Sequence, residues 1–89
     1  MDKQNLHEQL EQLHSELAQV ENVDSTEAEM LKHLAGDIQE ILEREENQAR
    51  HYTGLGERLK EAVARLEASH PRATETMRQV IDQLAYLGV

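Results

Sequence analysis

Apolar residues recur along this chain at helical spacing, in four runs separated by polar breaks. Leu6, Leu10, Leu13, Leu17 and Val20 follow one another at intervals of 4, 3, 4 and 3 residues. That is the narrow a/d seam of a coiled coil rather than a broad globular face, and Asn22-Val23-Asp24-Ser25 interrupts it. The next helix has a start signal. Thr26 with Glu29 three residues on fits a capping box, and Asp24 or Ser25 offers an alternative cap. Leu31, Leu34, Ala35, Ile38, Ile41 and Leu42 then form a wider apolar face, which fades into the polar stretch Glu43–Gln48. The connecting turn is short, so the two helices pair as an antiparallel hairpin.

The middle of the chain supports two readings. His51-Tyr52-Thr53-Gly54-Leu55-Gly56 predicts a break, because each interior Gly costs a helix about 1 kcal/mol relative to Ala. The seam nevertheless keeps phase from Ile41, passing Glu45 and Gln48 to reach Tyr52, Leu55, Leu59, Ala62 and Leu66, as it would in one long helix with a weak joint. In the broken form a third helix runs from Glu57 to Ala68. Pro71 ends it, since the residue before a proline is pushed out of the helical region. Pro71 also opens a fourth helix, capped by Ser69 or His70, with Met77, Val80, Ile81, Leu84 and Leu87 as its stripe. Gly88 suits the helix stop, and Val89 folds back on Leu84. The fold class is therefore all-α: four amphipathic helices in two hairpins, with the second and third helices either separate or continuous. They form an extended bundle or an antiparallel coiled-coil-like pair.

Composition narrows the function. Eighteen acidic residues against nine basic ones give a formal charge of −9 over 89 residues. Such a chain repels phosphate backbones and anionic lipid surfaces, so neither nucleic acid nor membrane is an expected partner. There is no Cys, which removes disulfides and thiolate chemistry. No apolar run is long enough to span a bilayer, and Met1–Asn5 opens without the apolar stretch of a secretory leader. A cytoplasmic location is the expectation. The charge is uneven: residues 1–50 hold 13 acids and 4 bases, residues 51–89 hold 5 of each. The single domain, residues 1–89, thus divides into an acidic hairpin (1–50) and a neutral one (54–89). The neutral half can approach a copy of itself without self-repulsion.

Leu66-Glu67-Ala68-Ser69-His70-Pro71-Arg72 and the terminal Ile81-Asp82-Gln83-Leu84-Ala85-Tyr86-Leu87-Gly88-Val89 carry a resemblance. Together with the N-terminal leucine heptad and the length, they resemble the short bacterial proteins of domain-of-unknown-function family 4404. The resemblance implies a small helical protein with no assigned activity, and it supplies no site residue.

The sharpest candidate chemistry is metal binding. Glu11-Gln12-Leu13-His14 and Glu67-Ala68-Ser69-His70 are both Glu-x-x-His, the pair that di-iron four-helix bundles use with two further carboxylates. Residues three apart share a helix face and can grip one ion. Against it, Leu10 and Leu13 already occupy the seam, which leaves Glu11 and His14 on the rim. His7 and His14 stand two turns apart, about 10 Å, too far for one ion without help from another helix. No cofactor is expected, and with almost no aromatic residues to wall a pocket, neither is catalysis. The Glu40–Glu46 run is a solubilising face or a patch for a basic partner, and Tyr52 and Tyr86 sit on apolar stripes as core residues. A core this thin is often completed by oligomerisation. The expected function is a non-enzymatic interaction module that forms a homodimer through Tyr52, Leu55, Leu59 and Leu66, with its acidic hairpin free for a basic protein partner. The alternatives are a carboxylate/histidine metal protein and a pH-responsive helper built on five His.

Overall fold

The computed structural model describes residues 2–46 and 48–88, with side chains from Asn5 onward. Its helices are α1 (Asp2–Ala18), α2 (Ser25–Glu43), α3 (Ala49–Leu66) and α4 (Pro71–Tyr86), and no strand occurs among the described residues.

The start of α2 is fixed by a reciprocal pair. The Asp24 carboxylate accepts the Glu27 backbone N–H at 2.8 Å, and the Glu27 carboxylate accepts the Asp24 N–H at 3.1 Å. The capping box is therefore Asp24 with Glu27; Thr26 already lies inside the helix. Asn22 turns the preceding chain with a φ of 60°, a conformation that Asn tolerates better than most residues. Pro71 opens α4 after His70, and Gly88 at φ 79° follows its last turn, both as the sequence predicts. The fold-back expected of Val89 lies outside the described residues.

The break between α2 and α3 is not at the glycine pair. Helix α2 stops at Arg44, whose backbone is extended (φ −78°, ψ 141°), and α3 restarts at Ala49. Glu43, Glu45 and Glu46 explain the stop: they offer nothing to bury, and their charge opposes the negative end of the helix dipole. Gly54 and Gly56 instead lie inside α3 on either side of Leu55, which is buried. Packing of that leucine outweighs the propensity cost of its neighbours. The continuous helix is thereby corrected as well. Residues 25–66 in one helix would be roughly 63 Å long, whereas the longest dimension of the molecule is 35 Å.

Each helix contributes four residues to one core. They are Leu6, Leu10, Leu13 and Leu17; Leu31, Leu34, Ile38 and Ile41; Leu55, Leu59, Ala62 and Leu66; and Ala73, Met77, Val80 and Leu84. The spacing is 4-3-4 in three helices and 3-4-3 in α2, so four a/d seams of equal length meet. Every helix packs against its neighbours in the chain, and α4 closes the ring on α1; the diagonal pairs do not pack. The result is a four-helix bundle, and the all-α class is as the sequence predicts. Tyr52 packs against the rim of the core, but Tyr86 is 74% exposed. Tyr86 follows Leu84 by two residues, about 200° around the helix, and so faces solvent rather than the core.

Candidate interaction surface

The first hairpin sets α1 beside α2, and this sorts the surface by charge. Residues 2–43 carry 11 acids and 2 bases, while residues 44–89 carry 7 of each. One side of the bundle is therefore strongly acidic. Some of its carboxylates are engaged. Glu11 meets His7 at 3.3 Å, Glu40 meets Arg44 at 3.9 Å, and Asp37 crosses to Arg58 on α3 at 2.8 Å. Glu8, Glu21, Glu29 and Glu43 are exposed, and none makes an ion pair with a described residue.

Between α1 and α2 runs a shallow groove of about 300 Å³. Its apolar walls include Leu17, Ala18, Val20, Val23, Ala28 and Ala35, with His14 and Lys32 at the rim. Ala18 and Ala28 are exposed; Val20, Val23 and Ala35 are half-buried. The small side chains follow from heptad position: Ala18 continues the stripe of Glu11, and Ala28, Ala35 and Leu42 share one stripe of α2 beside its buried seam.

A second depression, of about 750 Å³, lies at the opposite end of the hairpin, with Leu6, Leu10, Ile41, Arg44, Arg50 and His51 among its lining. There His51 holds the first turn of α3, because its Nδ1 accepts the Gln48 backbone N–H at 3.0 Å. Desolvation holds the His51 imidazole below its ordinary pKa, and the Arg44 and Arg50 guanidinium groups add to this against the opposing pull of Glu40. A depressed histidine pKa favours the neutral ring in the folded state. Its stabilising contribution is therefore present above about pH 6.5 and is lost as pH falls through the folded value. The melting-temperature advantage of the native chain over His51→Gln, followed by circular dichroism, is expected to shrink from pH 7 to pH 5. An advantage that stays constant over that range would contradict the capping role.

The family model for a domain of unknown function, DUF4404, matches residues 6–89. The chain belongs to that family. No curated protein and no solved structure matches it. The match covers nearly the whole DUF4404 chain, as the C-terminal motif and the leucine heptad implied, and it brings no specific function. No described helix of this DUF4404 protein is long and apolar enough to cross a membrane.

The bundle does not assemble the two Glu-x-x-His pairs. Glu11 is exposed beside His7, and His14 stands at the groove rim. Glu67 is ion-paired with Arg78 at 2.6 Å, and His70 stands at the N-cap position of α4 without a side-chain capping bond, its Nε2 buried and unpartnered. One pair lies within α1 and the other in the α3–α4 connection, where His70 shares a depression with Glu16 rather than with Glu11 or His14. No group of three metal-type side chains occurs among the described residues. Of the residues expected to mediate self-association, Leu55, Leu59 and Leu66 are almost fully buried in the core of their own chain, and Tyr52 is half-buried. The seam of α3 packs against its chain neighbours α2 and α4. Sequence reasoning missed the α1–α2 groove and the buried Thr74 and Thr76. The alanine stripe was the available signal for the first; nothing marked the second.

Proposed function

We propose that this protein is a non-enzymatic docking module whose acidic α1–α2 side binds a basic partner protein. The observation that carries the reading is the segregation of charge: 11 acids against 2 bases in residues 2–43, on two helices that the fold sets side by side. Self-repulsion on that side disfavours the compact state, and a cationic partner relieves it. Four of the carboxylates are exposed and make no ion pair with a described residue, so a partner's Lys or Arg meets them without displacing an existing ion pair. Rim charges of this kind steer encounter and depend on salt.

The test uses a synthetic amphipathic helix with a leucine face and a lysine face, labelled for fluorescence anisotropy. Saturable binding at low salt that weakens at least about tenfold when the ionic strength rises from about 0.05 to 0.5 M is the expected result. Absence of binding at low salt, or binding indifferent to salt, overturns the reading.

A further inference from the structure

We infer that the partner is a basic amphipathic helix and that it lies along the groove between α1 and α2, an inference that rests on the docking reading above. The groove floor is apolar and its walls are low. Ala18 and Ala28 stand exposed and Ala35 half-exposed, with Val20 and Val23 closing the end near the turn. Side chains this small let a helix approach at the short end of the 8–10 Å range of helix packing. An amphipathic helix seated in a hydrophobic groove is an established mode of peptide recognition. The flanks then set its charge. Glu8 and Glu11 stand on the α1 side, and Glu29 and Glu43 on the stripe of α2 beyond the alanines. All four are exposed. A helix with apolar residues toward the groove and Lys or Arg at its edges meets carboxylates on both sides.

Charge also decides against a second copy as the occupant. Two α1–α2 faces brought together would join two hairpins of 11 acids and 2 bases each, and the α3–α4 half offers no net positive charge to take their place. One charge works against the proposed partner. Lys32, exposed at the groove rim, is the only Lys or Arg in α2. Its position gives the experiment a gain-of-function arm.

The same leucine–lysine peptide is titrated against the full chain and three variants, each first checked for native helix content by circular dichroism. Lys32→Glu removes the opposing charge. Lys60→Glu makes the identical charge change at an exposed site on α3, away from the groove. Ala28→Phe fills the groove at an exposed position. The expected result is binding about threefold or more tighter for Lys32→Glu, within about twofold of native for Lys60→Glu, and at least about tenfold weaker for Ala28→Phe. If the two lysine variants tighten binding equally and Ala28→Phe has no effect, the groove is not the seat, while the acidic-side reading stands on long-range charge alone. If the native chain binds no peptide at low salt, both readings fall together.

Discussion

Leu59→Asp is expected to abolish the folded bundle, leaving no cooperative thermal transition. Leu59 is 0% exposed and sits in the middle of the α3 seam, within the core built from all four helices. A carboxylate there would be shut off from solvent inside an apolar cluster, and an unpaired buried charge is among the costliest single changes a small domain can suffer. The stability available is of the order of 5–15 kcal/mol. Leu59→Ala measures the same site more gently. It removes buried methyl groups and leaves a cavity, costing about 2–5 kcal/mol, and the chain still folds. The aspartate variant also discriminates between architectures. Were the Leu55–Leu66 face an intermolecular seam, Leu59→Asp would yield a folded, helical monomer of half the native mass. Circular dichroism melts with light scattering separate the outcomes, and a folded monomer that melts like the native protein would overturn the closed bundle.

That distinction marks the limit of what the sequence conveys. The heptad spacing identifies the buried residues of α1 and α3 almost one for one, because periodicity reports which side of a helix is apolar. It does not report what covers that side. Seams covered by the same chain and by a second copy look alike in periodicity, and the burial of Leu55, Leu59 and Leu66 within their own chain is legible only in the fold. The helix break is misplaced for a related reason. Glycine weakens a helix locally, but the packing of Leu55 between Gly54 and Gly56 is a tertiary term, and the acidic run at Glu43–Glu46 is the weaker point. His51 consequently falls at the first turn of a helix instead of in a linker. The acidic side of the surface is plain from counting charges. The groove within it needs the pairing of α1 with α2 in space, since its two walls come from separate helices.

The polar contact between the first and last helices is expected to be strongly non-additive. Thr76, 6% exposed, directs its hydroxyl at the Glu16 carboxylate, with oxygen separations of 2.6 and 2.8 Å across 60 residues of sequence. It is the one side-chain hydrogen bond joining α1 to α4 among the described residues. The hydroxyl has a single proton, so one carboxylate oxygen takes it. The Arg72 carbonyl at 3.5 Å is a poor substitute acceptor. Thr76→Val keeps the shape but leaves a half-buried carboxylate without its donor, and Glu16→Leu leaves a buried hydroxyl without its acceptor. Each orphaned group costs about 1–3 kcal/mol. The double variant orphans neither group and adds apolar contact, so it is expected to lie closer to the native stability than the sum of the single losses, with a coupling of about 1–2 kcal/mol. Urea unfolding of the four proteins measures this cycle. Single losses that simply add would mean that the hydrogen bond contributes nothing to holding α4 against α1, and that closure of the ring rests on the apolar seams alone.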